Sequence, residues 1–196
     1  MKNIILRIAG TFGSGKTTAV REFLNDYPSE TLKNSTTGKI MGYKVNAYLA
    51  GIRQPIYVIG KYDNVCGGCD AINTQDEAAE RILKAHLYGH VIYEGALVSA
   101  SGLNGAVTKA IHPTGCDVYA FLDTPQDLCI ERVKGRRETA GNEKPFDPKN
   151  LIDKFESVVN CYKNLKTAGD YDVRLIDHTK IHPQLVDIIK GFENAK

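Results

Sequence analysis

Residues 10–17 have the residue types and the spacing of a phosphate-binding loop. Their letters GTFGSGKT fit the pattern G-x-x-x-x-G-K-[ST], between an apolar run at residues 4–9 and a helix that begins near residue 16. Glycines let a loop turn several N–H groups towards one anion, because no Cβ is in the way. The helix adds its positive N-terminal end. We predict a nucleoside triphosphate site made by Gly10, Thr11, Phe12, Gly13, Ser14, Gly15, Lys16, Thr17 and Thr18.

Two side chains of this loop are predicted to act on the phosphates and their metal. Lys16 brings a full charge to the β- and γ-phosphates, and the Thr17 hydroxyl is suited to ligate Mg²⁺. The metal needs an acidic partner, and Glu94 directly follows the apolar run at residues 90–93. We predict that Thr17 and Glu94 hold Mg²⁺, directly or through water; a solvent-facing carboxylate is the alternative for Glu94. Asp123 also ends an apolar run, but a turn and a helix start explain it.

A basic cluster at residues 132–137 is predicted to close over the phosphates. Arg132 and Arg136 are four residues apart and share one helix face, and Arg137 is one step around. A polar stretch follows up to residue 148 and is typical of a lid. We predict catalytic roles for Arg132 and Arg136 and phosphate contacts for Arg136 and Arg137, because lid arginines neutralise charge on a transferred phosphoryl group. The alternative is a solvated helix end favoured by the helix dipole.

The glycine-bearing stretch at residues 60–73 supplies candidate groups for the acceptor side. An alcohol acceptor requires a general base within about 2.6–3.2 Å of its oxygen. Asp70 is the first candidate and Asp63 the second, and an ordinary loop before a helix is the alternative. Cys66 and Cys69 have C-x-x-C spacing, but no second Cys pair or His pair completes a structural zinc site. We therefore attribute this part of the stretch to glycine-loop geometry.

Alternating apolar and amphipathic segments predict the fold. Strands are indicated at residues 3–9, 43–49, 56–59, 90–93, 118–122 and 173–176. The gap between the second and third is too short for a crossover helix, so we predict a hairpin insertion at about 43–60, after a loop at 27–42. The whole pattern predicts an α/β protein with a mainly parallel five-stranded sheet, helices on both faces, and ligands at the carboxyl ends of the strands.

Length and composition fit one domain at residues 1–196 with a lid at about 134–148. Of the 196 residues, 42% are hydrophobic and 24% charged, and the formal net charge is +2, which is ordinary for a globular domain. No run approaches about 18 apolar residues, so no membrane span is expected. No signal peptide is visible. The 5 cysteines, an odd number, favour free thiols in a reducing cytoplasm.

The phosphate loop, the strand-end acid and the arginine-bearing lid together resemble the nucleoside monophosphate kinases, thymidylate kinase in particular. The resemblance covers residues 3 to about 190 and implies a three-layer P-loop kinase fold that transfers a phosphoryl group from ATP with Mg²⁺. It also implies that residues 177–181 border the adenine. In thymidylate and deoxynucleoside kinases an arginine usually follows the acid, whereas Gly95 and Ala96 follow Glu94 here. This departure argues against an ordinary nucleotide acceptor.

The stretch from residues 60–63 through 67–72 is similar to that of bacteriophage P-loop kinases that phosphorylate 5-hydroxymethyluracil within DNA, a step in thymine hypermodification. This resemblance implies a DNA partner in the host cytoplasm whose modified base leaves the stack. It implies that Tyr62 stacks on a base and that basic residues contact DNA or donor phosphates, namely Arg53, Lys61, Arg136 and Arg137. The predicted substrate-binding set is Arg53, Lys61, Tyr62, Asp63 and Asp70. A kinase for a free deoxynucleotide or nucleoside and a nucleotide-binding switch or ATPase stay open as alternatives.

Overall fold

One sheet of seven strands runs through the part of the chain that the structure describes. The computed structural model describes residues 2–63, 67–95, 105–142 and 144–195. The strands are β1 (Ile5–Ala9), β2 (Ser29–Lys33), β3 (Ile40–Val45), β4 (Ile56–Ile59), β5 (His90–Glu94), β6 (Asp117–Leu122) and β7 (Asp172–Ile176). Their order across the sheet is β2-β3-β4-β5-β1-β6-β7. From β4 to β7 neighbours are parallel, while β3 is antiparallel to β2 and to β4.

Helices cover both faces of this sheet. They are α1 (Lys16–Asp26), α2 (Gln75–His86), α3 (Ala106–Ile111), α4 (Gln126–Thr139), α5 (Lys149–Ala168) and α6 (Ile181–Asn194). Helices α1 and α6 pack on one face. On the other face α2 and α3 form one apolar cluster with the strands, and α5 forms a second. The predicted α/β class with a mainly parallel sheet between helical layers is confirmed. Among the described helices, none has the length and apolar composition to cross a membrane.

The hairpin near residue 43 belongs to the main sheet. The expectation of a loop at residues 27–42 is wrong, because residues 29–33 form β2 and pair with β3 in the register Ser29↔Val45. The predicted antiparallel pairing of β3 with β4 is confirmed by Gly42↔Ile59. Since β4 also pairs with β5, β2 and β3 extend the sheet from the predicted five strands to seven. The next segment, Tyr48–Ala50, is a short 3-10 turn and not strand.

β1 is the central strand of the parallel part and holds the phosphate loop in place. All five of its residues are buried, as expected for a parallel strand covered on both faces. Arg7 is the one charged residue in it, and it donates to the Tyr93 hydroxyl and to Thr108 Oγ1. Its guanidinium also lies 4.3 Å from the centre of the Tyr119 ring. The buried charge is therefore held by hydrogen bonds and aromatic rings on the neighbouring elements.

Candidate active site

The phosphate loop connects β1 to α1 as predicted, and its shape depends on glycine at two positions. Gly13 and Gly15 have φ angles of 78° and 99°, which favour glycine. A Cβ at Gly13 would lie 2.5 Å from the backbone carbonyl oxygen of Cys129, so α4 approaches the loop closely at this point. Thr124 Oγ1 donates to the carbonyl oxygen of Ser14 at 2.8 Å. The start of α4 therefore supports the loop from one side.

The Lys16 ammonium group lies under the loop and faces the acidic residues of the site. Its Nζ donates to the carbonyl oxygens of Gly10 and Thr11, each at 2.8 Å. Burial lowers the pKa of Lys16, while the negative charges of Glu94 and Asp70 act in the opposite direction. Lys16 thus stands where loop carbonyls and two carboxylates meet.

Thr17 and Glu94, the predicted metal ligands, are in direct contact. Thr17 Oγ1 donates to Glu94 Oε1 at 2.9 Å. Only 2% of Glu94 is exposed. Burial raises the pKa of this carboxyl to about 7, against the opposing effects of Lys16 and the Thr17 hydrogen bond. A cation offsets the cost of a buried carboxylate, and hydroxyl and carboxylate oxygens are the ligands that Mg²⁺ prefers. The pair therefore fits a magnesium ion.

These groups open into one cavity of about 560 Å³ at the carboxyl edge of the sheet. Arg132 reaches it from α4 and donates to the carbonyl oxygen of Gly13 at 3.2 Å. His178 and Thr179, in the segment predicted to border the adenine, also line the cavity. The predicted residues that line the cavity are Phe12, Gly13, Ser14, Gly15, Lys16, Thr17, Thr18, Asp70, Glu94, Arg132 and Arg136.

Asp123 does not line this cavity but contacts His178, which does. Its Oδ1 accepts from the backbone N–H of His178 at 2.7 Å and lies 3.1 Å from Nδ1 of the same residue. Asp123 therefore connects the end of β6 to the segment after β7. This contact gives it a positioning role, in keeping with the view that it is a turn residue.

Two glycines bring the glycine-bearing stretch at residues 60–73, which we call the acceptor loop, against Thr17 and Glu94 of the donor site. Gly68 has a φ of 79°, and its N–H donates to the carbonyl oxygen of Lys61 at 3.0 Å. A Cβ at Gly68 would lie 2.5 Å from Glu94 Oε1, and a Cβ at Gly67 would lie 3.2 Å from Thr17 Cγ2. A side chain at Gly68 would collide with Glu94, and one at Gly67 would lie 2.8 Å from the carbonyl oxygen of Lys61 and crowd Thr17. Cys66, in the same loop, lies outside the described residues.

Asp70 lies beside the backbone of Gly95, where the chain departs from the nucleoside kinases. A Cβ at Gly95 would lie 3.0 Å from Asp70 Oδ1 and 3.2 Å from Cys69 Cβ. The Asp70 carboxylate thus occupies the space in which an arginine at position 95 would begin. Cys69 is buried, and burial raises the pKa of its thiol well above the ordinary value. A reactive thiolate is disfavoured, which supports the glycine-loop interpretation of this segment.

Arg53 and Arg137 do not line the cavity. Arg53 precedes β4 and therefore lies at the opposite edge of the parallel sheet, where its backbone N–H and side chain contact Glu193 of α6. The prediction that it contacts DNA or donor phosphates in this site is not supported by that position. Arg137 Nη2 donates to the carbonyl oxygen of Lys144 at 3.2 Å, and its guanidinium lies 5.7 Å from the centre of the Phe146 ring. The structure thus places only Arg132 and Arg136 of the basic cluster at the cavity.

The remaining acceptor-side candidates, Lys61, Tyr62 and Asp63, do not line the cavity. Tyr62 is 5% exposed and packs beside Tyr43, with 6.1 Å between the ring centres. A ring buried in this way offers no open face to a base, so the predicted stacking is not supported. Lys61 Nζ pairs with Asp63 Oδ2 at 3.1 Å, and neither lines the cavity. Of the two candidate bases, the structure therefore brings Asp70 and not Asp63 to the phosphate loop.

One cation of the site, Arg21, was missed from the sequence, and a second, Lys154, interacts electrostatically with Asp70. Arg21 lines the cavity, donates from Nε to the carbonyl oxygen of Tyr62 at 3.0 Å, and lowers the pKa of Glu94. Burial lowers the pKa of Lys154 on α5, and the charge of Asp70 raises it. Helical spacing was the available signal, since Arg21 is one turn after Thr17.

A family profile and two similar curated proteins carry the same description. The family profile described as 5-hmdU DNA kinase matches residues 2–168. The 5-hmdU DNA kinase of Pseudomonas phage PaMx11 is 36% identical over 172 residues, which is 86% of this chain and 88% of that protein. The 5-hmdU DNA kinase of Pseudomonas phage M6 is 27% identical over 173 residues, or 84% and 87% of the two chains.

Among solved structures, a deoxyadenosine kinase from M. mycoides is similar with a TM-score of 0.49 and 14% identity, and the match covers 97% of this chain and 99% of that one. The family profile and the phage relatives confirm the resemblance drawn from the acceptor loop. The chain belongs to the 5-hmdU DNA kinase family.

Proposed function

We propose that this protein transfers the γ-phosphate of ATP to the hydroxymethyl group of 5-hydroxymethyluracil in DNA. Two phage relatives that the chain covers over most of their length are named as kinases acting on this DNA nucleoside. The observation that carries the proposal is the position of Asp70. Its carboxylate lines the same cavity as Lys16, Glu94 and Arg132. A carboxylate in that position suits an acceptor whose hydroxyl proton must be removed.

The donor side is assigned to the phosphate loop and two arginines. Backbone N–H groups of residues 10–18 would cradle the phosphates, and Lys16 would neutralise charge between the β- and γ-phosphates. Arg132 and Arg136 would stabilise the charge that develops on the transferred group. Thr17 and Glu94 would hold Mg²⁺, which supplies charge neutralisation to the phosphate oxygens. The segment that contains His178 and Thr179 would border the adenine.

The acceptor side is assigned to Asp70. Its carboxylate takes the proton from the hydroxymethyl group, and the oxygen forms a bond to the γ-phosphorus. The bond between that phosphorus and the β–γ bridging oxygen breaks, and ADP leaves with the electron pair. The proton then passes from Asp70 to solvent. The modified base must leave the stack to reach this cavity, and unstacking costs a few kcal/mol.

The test supplies γ-labelled ATP with three kinds of acceptor. These are DNA that contains 5-hydroxymethyluracil, the same DNA with thymine, and a panel of free deoxynucleotides and nucleosides. We expect label on the modified DNA alone. Label only on a free deoxynucleotide or nucleoside would instead identify a nucleotide or nucleoside kinase, and label released as phosphate in every reaction would identify an ATPase.

Two isosteric variants assign the base. Asp70→Asn is expected to lower the transfer rate by about 10²-fold or more with ATP binding retained, because the amide cannot accept the proton. Asp63→Asn is the matched control, since that carboxylate pairs with Lys61 outside the cavity. Wild-type turnover of Asp70→Asn would remove Asp70 from the mechanism. A large loss in Asp63→Asn alone would move the role there.

A further inference from the structure

Positive charge is concentrated in one part of the chain. Residues 31–62 contain five Lys or Arg residues and no Asp or Glu. The whole chain has 25 basic and 23 acidic residues, so the other residues have 20 against 23. The formal net charge of +2 is therefore the sum of +5 for residues 31–62 and −3 for the other residues. Clustered charge, more than total charge, indicates nucleic-acid binding.

Three of these five basic residues, Lys33, Lys39 and Lys44, belong to the β2–β3 hairpin, whose tip lies at the active-site edge. The pair Gly42↔Ile59 sets the beginning of β3 beside the end of β4. The chain leaves β4 into Lys61, whose backbone bonds to Gly68 next to Glu94. Residues 34–39 at the hairpin tip therefore lie on the same edge as the acceptor loop.

A groove connects the tip to the acceptor loop. It has a volume of about 330 Å³, and its lining includes Lys39, Lys61, Arg81 and Ala71, the residue after Asp70. Lys61 and Arg81 are paired with Asp63 and Glu77, respectively. Within the described residues, the ammonium groups of Lys33 and Lys39 have no acidic partner in a salt bridge. Both lysines are exposed.

The hairpin tip is ordered by its own hydrogen bonds. Asn34 Oδ1 accepts from the backbone N–H groups of Thr36 at 2.9 Å and Thr37 at 2.8 Å. The N–H of Gly38 donates to the carbonyl oxygen of Asn34 at 2.9 Å. A surface held in this way loses little conformational entropy when a ligand binds. The tip carries hydroxyl groups and the Lys39 ammonium group, and no Asp or Glu occurs in residues 31–62. Such donors are suited to bind phosphate oxygens.

We propose that the β2–β3 hairpin binds the DNA phosphodiester backbone beside the target nucleotide, through Lys33 and Lys39. The inference rests on the proposed function, because it gives the kinase a reason to prefer a polymer over a free nucleoside. The partner is DNA whose neighbouring phosphates run along the groove away from Asp70. Single strands and duplexes share this backbone, so the test includes both.

The test compares two double variants of equal charge change. Lys33→Ala with Lys39→Ala removes the two ammonium groups that the proposal assigns to DNA. Lys163→Ala with Lys190→Ala is the control, on α5 and α6, outside the hairpin. Affinity for DNA containing 5-hydroxymethyluracil is measured without ATP by fluorescence anisotropy over a series of salt concentrations. Transfer is measured with a strand of about 15 nucleotides and with a trinucleotide.

In the hairpin variant we expect the slope of log affinity against log salt for single strands to fall by about 1.4, roughly 0.7 for each phosphate that is no longer neutralised. KM for the long strand should rise several-fold, while kcat and transfer to the trinucleotide stay unchanged. A slope and KM like those of the wild type, or an equal effect in the control, would overturn the proposal. Reduced affinity for the single strand or the duplex supports it and identifies the form bound. Failure of the proposed function is distinct, because the wild type would then phosphorylate no DNA.

Discussion

Replacing Gly68 by alanine tests whether the acceptor loop must touch the donor site. Gly68 has φ 79° and ψ −153°, a region that is essentially restricted to glycine. Occupying it with another residue costs about 1–3 kcal/mol. The added Cβ would also lie 2.5 Å from both Oε1 and the carbonyl oxygen of Glu94. Since that carbonyl belongs to β5, the loop must move, and such overpacking costs about 1–3 kcal/mol more.

We therefore expect Gly68→Ala to lower the free energy of unfolding by about 2–6 kcal/mol, a large share of the roughly 5–15 kcal/mol that stabilises a domain. Displacing Asp70 from the cavity by about 1 Å should reduce transfer by about 10²-fold. Urea unfolding and labelled-phosphate transfer measure the two effects. Gly191→Ala is the matched control, because a Cβ there meets no atom within 4 Å. It should gain about 0.5–1 kcal/mol and keep full activity. Wild-type stability and transfer in Gly68→Ala would refute the reasoning.

Four further variants probe the site and the opposite edge of the sheet. Lys16→Ala should abolish transfer and leave the circular dichroism spectrum unchanged, because its charge acts on the phosphates; residual wild-type turnover would contradict this. Without metal and nucleotide, wild-type stability should fall as pH rises from about 4.5 to about 7, since folded Glu94 keeps a proton that the unfolded chain has released. The fall is at most about 3 kcal/mol. Urea unfolding near pH 5 and near pH 8 should show that Glu94→Gln removes it, and an unchanged pH dependence would show that another group is responsible. Glu193→Ala should cost about 2–4 kcal/mol, because the buried His90 ring and the partly buried backbone N–H groups of Arg53 and Gln54 lose their acceptor. Arg53→Ala should leave DNA phosphorylation unchanged, and a selective rise in KM for DNA would contradict its placement at the far edge.

The phosphate loop was predictable because phosphate chemistry dictates its residues. Gly13, Lys16 and Thr17 each have a function that few other side chains perform, and their spacing is recognisable without tertiary information. The buried parallel strands were equally recognisable from their apolar runs. β2 was not, because its sequence SETLK is almost wholly exposed and carries no apolar alternation. It is a strand through its pairing with β3, which no local pattern reveals.

The misplaced acceptor residues have a topological cause. Residues before a parallel strand lie at its amino end, so the far-edge position of Arg53 follows only once β4 is known to belong to the main sheet. Tyr62 has a ring suited to stacking, but its burial depends on packing against Tyr43. The contact between Asp70 and Gly95 joins residues that are distant in sequence. The sequence showed that Gly95 stands where an arginine is usual, but it did not show that the Asp70 carboxylate lies beside this glycine.

The position of β1 in the middle of the sheet has a consequence for how the protein folds. On one side Ile5 faces Val91, and on the other it faces Asp117. β1 therefore has neither neighbour until the chain has been synthesised as far as β5, and contacts so distant in sequence are slow to form. The β2–β3 hairpin, by contrast, joins near neighbours along the chain. We expect the nascent chain to acquire its basic hairpin early and its phosphate loop late, so that a product truncated before β5 would carry the proposed DNA-binding surface without a phosphate loop held in a sheet.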